Sequence, residues 1–512
     1  MTVLGVDIGT SSNKGMLCDA TGRVLATRSL THPTSMPGPG LAEHDAEAVW
    51  WDDLVGVVRA VLEDASTSAG GTAAAADGIE AICVSGIGPC ALVADARGVP
   101  LRPAILYGID TRATAEIDEL TGELGAGAIL ARCGSPLTSQ AVGPKLLWLR
   151  RHEPQVWDRS RMLLMASSFA VHRLTGEYVL DHHSASQCTP LYDLLEASWI
   201  QEWADRIAPG LPLPRLAWPG EVVGQVTPVA AGACGLAAGT PVLAGTIDAW
   251  SEALSVGVTR PGDCMVMYGT SMFMVDVAPQ ARPHPRLWLT NGIEPGMRTV
   301  AAGMGTFGAV TEWFRRITGT SFAVLSAEAA MVPPGSEGVL TLPYFAGERT
   351  PLFDTDARGV LAGLTVRHGR GHLFRSLLEG AAFGVRHNLE TMAAAGAPPT
   401  RLIAVGGAAH DPLWRQIISD VTGREQELPE ILTGAAYGDA LLAARAAGLV
   451  GEDTLWNRTA DRVRPGDTAV GAVYDRLYET YLDLYPASAD AVHALARMGR
   501  SLETDGESAR SG

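Results

Sequence analysis

The chain opens on an apolar strand, a tight Gly9-Thr10-Ser11 turn and a second apolar strand ending at Asp19. The same pattern returns at residues 264–275 around Gly269, Thr270 and Ser271. A strand, Gly-Thr-Ser turn and strand repeated this far apart points to a fold built of two related halves. In each turn the glycine lets the backbone bend sharply and approach an anion, and the hydroxyls and successive N–H groups donate to phosphate oxygens. Asp7 ends the first strand beside this nest. A carboxylate there repels a phosphate unless a divalent cation lies between, so Asp7 is read as a Mg²⁺ residue, directly or through water. One such hairpin alone is more often a plain turn; two of them, with the signals below, favour a nucleotide.

At 512 residues the chain is too long for one core. Its 47% hydrophobic and 19% charged content describes a globular protein with ample core material. A net charge of -17 and a pI near 5.2 exclude nucleic acid and anionic membrane as main partners, which demand a basic surface. A phosphorylated ligand then needs local cations. Lys14 and Lys145 are the only lysines of the chain, which marks both as candidate functional positions, Lys14 the stronger. The Cys count is 7, odd and without metal-type spacing, which reads as small buried hydrophobes in a reducing compartment. No leader-like segment precedes the first strand and no run is apolar enough to span a bilayer, so the cytoplasm is the expected location.

Further along, a third strand over 23–29 completes an antiparallel meander, and Asp45 caps a helix whose Trp50, Trp51, Leu54, Val57, Val58 and Leu62 form one apolar stripe. A buried strand at 79–85 runs into the loop 86–90, the kind of strand end at which α/β proteins bind ligands. Residues 106–112 make a second strand end carrying Asp110 and Arg112, for which a surface ion pair is the plain alternative. The proline-rich run 211–220 reads as a connector. A strand at 241–244 then delivers Asp248 to the start of a helix, where the positive helix end favours its ionised form. A simple N-cap explains Asp248 equally well; its place just before the second hairpin favours catalysis. Near the end, Gly406, Gly407 and Ala408 follow a strand, and bare glycines let backbone lie flat against a purine or ribose. A helix over 472–484 and a polar, disordered tail over 501–512 close the chain.

Taken together, Asp7-Ile8-Gly9-Thr10-Ser11, Lys145-Leu146-Leu147-Trp148-Leu149, the run from Leu342 through Gly347-Glu348-Arg349-Thr350-Pro351, and the run from Gly359 to Leu378-Glu379-Gly380 resemble the FGGY carbohydrate kinases of the actin/Hsp70/hexokinase superfamily, most closely their xylulokinase branch. The resemblance implies an α/β fold of two ribonuclease-H-like domains around a central cleft. Residues 1–244 would bind mainly sugar and 245–490 mainly nucleotide. It implies ATP and Mg²⁺, with Asp248 as general base and Asp7 holding the metal. Thr10, Ser11, Lys14, Gly269 and Thr270 would bind phosphates, Gly308 would approach them, and Gly406, Gly407 and Ala408 would face adenosine. The acceptor would be the terminal hydroxyl of a ketopentose such as xylulose.

Departures from the family pattern concern the sugar. Ile87-Gly88-Pro89 replaces Gln-Met-His, His183-Ser184-Ala185 stands where Ser-Asp-Ala is usual, and the segment 106–112 is one residue longer. Gly88, Pro89, Asp110, Arg112 and Asp248 are therefore the candidate substrate contacts. Ribulose, a polyol of the erythritol or glycerol type, or an aldonate is the nearest alternative acceptor. An Hsp70-like chaperone lacks its peptide-binding domain here, and a non-catalytic sugar or nucleotide sensor is opposed by retention of both Asp7 and Asp248. The partner is a small sugar; the sequence leaves oligomeric state open, a homodimer among the alternatives.

Overall fold

The computed structural model describes residues 1–68, 78–432 and 434–510, with the side chains of 500–510 excepted. The chain divides into two compact units. The first comprises Met1–Thr259, Val277–Thr299 and Thr433–Arg458, the second Arg260–Asp276, Val300–Leu432 and Thr459–Gly512. Gly245, where the sequence suggested a domain boundary, lies inside the first unit, because the strand Thr246–Ile247 pairs with Ile79–Gly86.

In the first unit the opening meander, Thr2–Ile8, Ser12–Asp19 and Val24–Thr31, is antiparallel throughout. Beyond Thr2–Ile8 the sheet continues through the parallel strands Ile79–Gly86 and Pro241–Leu243 to an antiparallel edge, Val222–Gln225. Side chains alternate across a strand, so Leu4, Val6 and Ile8 enter the core with Trp50, Leu54 and Val57, while Val3, Gly5 and Asp7 face the other way. The helix Ala435–Ala446 lies on that second face so closely that a Cβ on Gly5 would stand 2.0 Å from the carbonyl oxygen of Ala436. Asp45 caps the first helical segment as expected, its side chain accepting from Glu47 and Ala48 N–H.

The second unit repeats the order. Its central strand Asp263–Tyr268 is flanked by the antiparallel hairpin partner Met272–Val277 and, on the other side, by the parallel strands Arg401–Val405 and Gln426–Pro429, then by the antiparallel edge Thr459–Val463. The repeated hairpin therefore marks a repeated sheet.

Three local readings change. Residues 211–220 are no mere connector, since Arg215–Ala217 pairs in parallel with Val179–Asp181 between the prolines. The C-terminal helix is longer than 472–484: it spans Thr468–Arg510 and continues through Pro486, its buried Tyr474, Tyr478 and Tyr481 packing on Phe383. The expected disordered tail changes too, its backbone continuing that helix over residues 501–510; residues 511–512 and the tail's side chains lie outside the described residues. The cysteines are all unpaired and buried. Among the described residues no helix is long and apolar enough to cross a membrane.

Candidate active site

Three parallel strand ends meet in the first unit. Ile79–Gly86 is central, with Asp7 opposite Ser85 on one side and Thr246–Ile247 opposite Ser85 and Gly86 on the other. Asp248, the residue after Ile247, and Asp7 thus stand on either side of one strand terminus. Lys14 is the direct cross-strand neighbour of Asp7 in the opening hairpin, which puts ammonium and carboxylate on one face. Asp7, Lys14 and Asp248 each keep part of their surface exposed. Asp248 is not the N-cap of its helix, Asp248–Ser255; Ile247 is. Its carboxylate accepts from the N–H of Ala249 at 2.7 Å.

Sequence reading missed two further acids. Glu252 lies one turn after Asp248 on the same helix, and the helical repeat alone would have found it. Asp439 comes from the helix Ala435–Ala446, far along the chain, and is fully buried. It accepts from Ser85 N and Oγ at 3.2 and 2.6 Å and from Ser251 Oγ at 2.6 Å. The only hint of it in the sequence is an acid set in an otherwise small and apolar helix. Gly438 permits this contact, because a Cβ there would stand 1.8 Å from the Ser251 carbonyl oxygen.

So many acids with so little cation shift one another. Burial holds Asp248 up at about 7, Glu252 adding to it and the Ala249 N–H opposing. Burial, then the fields of Asp248, Asp439 and Glu252, hold Asp7 well above the usual carboxylate range against the pull of Lys14. Burial likewise raises Asp439 to about 7 and Glu252 above its ordinary value, and lowers Lys14.

The turn of the first hairpin closes with Gly9 N donating to Ser12 O at 3.0 Å. Thr10 Oγ1 meets the Tyr107 hydroxyl at 3.0 Å and Ser11 is exposed at the tip. Gly88 packs against Ile247, its Cβ position 2.7 Å from Ile247 Cδ1, so the loop of Gly88 and Pro89 lies next to Asp248. Asp110 and Arg112 are not a surface pair: both are buried, doubly hydrogen-bonded at 2.9 and 2.7 Å, and Asp110 also takes Ala42 N–H at 2.8 Å. Both carboxylate oxygens of Asp110 are thereby occupied. Lys145, the other lysine, is buried with Nζ donating to Leu106 O at 2.8 Å, and burial lowers it to about 8. His183 donates from Nδ1 to the Asn291 carbonyl at 2.6 Å, and burial holds its ring neutral, at about 4.

In the second unit Gly269, Thr270, Gly308 and Gly406 come together. The N–H groups of Phe307, Gly308 and Ala309 donate to the carbonyls of Thr270, Gly269 and Thr270 at 3.0, 2.9 and 3.0 Å. Gly308 therefore serves close approach: a Cβ there would lie 2.6 Å from Gly269 O. Gly406, at φ +89°, stands over Tyr268, while nothing lies within 4 Å of a Cβ on Gly407, leaving a bare platform beside Ala408. Beneath it Tyr268, Phe307 and Trp414 stack at 5.2 and 4.4 Å. Glu348 anchors the approach to this site, its Oε1 accepting from Gly305 N at 2.8 Å and Arg349 N at 2.7 Å.

A part-exposed carboxyl held near neutrality thus lies one strand away from the Gly9-Thr10-Ser11 hairpin, and the chain is similar to known proteins. The chain is 34% identical to the xylulose kinase of Rhodospirillum rubrum, whose crystal structure superposes with a TM-score of 0.87 over 96% of this chain and 100% of that one. It is 30% identical to the xylulose kinase of Escherichia coli over 87% of this chain and 89% of that one, and 28% identical to the gluconokinase of Bacillus subtilis over 88% of each. The two-unit α/β fold is the actin/hexokinase-like fold of these kinases. Residues 2–255 match the N-terminal domain, and residues 264–447, Asp439 among them, the C-terminal domain, of one family: the chain belongs to the FGGY family of carbohydrate kinases.

Proposed function

We propose that this kinase transfers the γ-phosphoryl group of ATP to a hydroxyl of a ketopentose, xylulose first among candidates, with Asp248 as general base. The observation that carries this reading is Asp248 itself. A carboxyl held at about 7 is ionised in a large share of molecules at neutral pH, yet basic enough to take a proton from an attacking hydroxyl.

Magnesium fits the donors present. Among the described residues no three His, Cys, Asp or Glu side chains form a metal cage. That suits an ion which keeps its waters and is held by one or two carboxylates together with phosphates of the substrate. Asp7 would hold it, through water, and the ion would neutralise phosphate charge. The chain does the rest. Thr10, Ser11, Lys14, Gly269 and Thr270 bind phosphates, and the platform of Gly406, Gly407 and Ala408 receives adenosine. Gly88 and Pro89 wall the sugar beside Asp248, which positions the hydroxyl and accepts its proton. Asp110 has both oxygens engaged by Arg112 and the Ala42 N–H, so neither is left for the sugar. Seven buried, unpaired cysteines suit a cytoplasmic enzyme.

A second acceptor class is favoured by one feature: residues 87–89 bring no polar side chain to the sugar. A missing partner costs on the order of 1–3 kcal/mol of discrimination per buried hydroxyl, so ribulose, a polyol or an aldonate competes with xylulose. ADP release under saturating MgATP with ketopentoses, pentitols, tetritols and aldonates separates them. Xylulose ahead of all others by about a hundredfold in kcat/KM establishes a strict xylulokinase. Another compound ahead reassigns the acceptor, and no sugar-dependent ADP release at all removes the kinase reading.

A further inference from the structure

The carbonyls of the Gly9-Thr10-Ser11 turn are all taken by one short segment, residues 32–34. Gly9 O stands 3.2 Å from His32 Nε2, Thr10 O accepts from Thr34 Oγ1 at 3.0 Å, and Ser11 O accepts from the His32 N–H at 2.9 Å. A carbonyl only accepts, so Nε2 of His32 carries a proton. Nδ1 of the same ring meets Asp53 Oδ2 at 2.9 Å, which fixes the ring's orientation. The Thr34 bond has a fixed direction too. The Trp50 indole only donates and gives its N–H to His44 Nδ1 at 3.1 Å, so the proton of that buried ring, which burial and the field of His32 push down to about 4, sits on Nε2. His44 Nε2 faces Thr34 Oγ1 at 3.3 Å. The hydroxyl accepts there and spends its own proton on Thr10 O.

In a trans peptide the C=O and the following N–H point opposite ways, and none of the three links of this turn is cis. Drawing the carbonyls toward residues 32–34 therefore turns the N–H groups of Thr10, Ser11 and Ser12 away from them. Among the described residues, those of Thr10 and Ser11 donate to nothing in the chain. Successive N–H groups turned the same way make a nest for an anion. We infer that His32 and Thr34 are positioning residues for the phosphates of the nucleotide: by holding the carbonyls of the turn they keep its N–H groups presented to the anion. The inference rests on the proposed reading of this turn as a phosphate site. Neither side chain touches the nucleotide in this scheme; without them a turn peptide is free to flip and set a carbonyl oxygen against the phosphate.

The readout is the factor by which MgAMP-PNP, a non-hydrolysable ATP analogue, binds more tightly than adenosine, measured by titration calorimetry on the full chain, with thermal unfolding as a check on folding. His32→Leu removes the donor to Gly9 O, and the factor falls about tenfold or more. Thr34→Val keeps the shape without the hydroxyl and lowers it about fivefold. His32→Gln keeps an Nε2–H as many bonds from the main chain as the imidazole Nε2 and stays within about threefold of wild type. Adenosine affinity is unchanged in all three. A merely structural role weakens adenosine and MgAMP-PNP together and leaves their ratio in place, and a role for the ring's bulk or charge makes His32→Gln as poor as His32→Leu; either result overturns the inference. Should His32→Leu not fold, Thr34→Val and His32→Gln decide: a factor that Thr34→Val leaves unchanged, or that His32→Gln cuts about tenfold, refutes the scheme. Wild type with no preference for MgAMP-PNP, or Ser11→Pro, which deletes one N–H of the turn, with an undiminished preference, instead removes the reading of the turn on which the inference stands.

Discussion

Glu252 stands one helical turn from Asp248 on the helix Asp248–Ser255, so two carboxyls share a face with the second biasing the first. If Asp248 is the base, kcat/KM rises with pH as it ionises, with an acid limb near pH 7. Removing the neighbouring negative charge favours ionisation. Glu252→Gln therefore moves that limb to lower pH. A limb that stays in place or moves up contradicts the assignment.

Asp248→Asn keeps size and the acceptor for the Ala249 N–H but cannot take a proton. Turnover falls by about 100-fold or more while MgADP binding persists. The same carboxyl bears on stability. Its pKa is raised from 3.8 unfolded to about 7 folded, so the native state binds the proton more tightly and loses stability as pH climbs between those values. The amide is exempt. The melting temperature of Asp248→Asn relative to wild type is expected to rise between pH 5 and pH 8; a gap independent of pH argues against a titrating Asp248.

Lys14 faces Asp7 across the opening hairpin and is proposed to bind the phosphates. Lys14→Ala raises KM for ATP by about tenfold or more with little change for the sugar, and Lys14→Arg, which keeps charge at altered geometry, recovers part of the loss. Steady-state kinetics in both substrates distinguish this from a general fault, which lifts both KM values together.

Gly438 lets the helix Ala435–Ala446 touch the helix of Asp248, with a would-be Cβ 1.8 Å from Ser251 O. Gly438→Ala must push the two helices apart, costing about 1–3 kcal/mol of stability. Because Ser251 and Asp439 ride on those helices, kcat falls as well. Chemical denaturation and turnover measured on one preparation test this, and an unchanged pair of values sinks it.

The two hairpins, the capped helix at Asp45, the strand leading to Asp248 and the glycine platform at Gly406 were all legible in the chain, because each is specified by neighbours in sequence: alternation, turn chemistry and caps act within a few residues. The duplicated sheet was foreshadowed by the duplicated turn. What local pattern cannot carry is the meeting of distant segments. Asp439 joins Ser85 and Ser251 only because a glycine-bearing helix from late in the chain packs against the opening sheet, and Arg112 turns inward only because the buried Asp110 and the half-buried Glu43 lie beside it. Residue types and short-range order thus singled out Asp7, Lys14 and Asp248 as candidates. The charge state of each was decided by tertiary packing, since burial and the fields of neighbours remote in sequence exist only once the sheet and its helices have closed together.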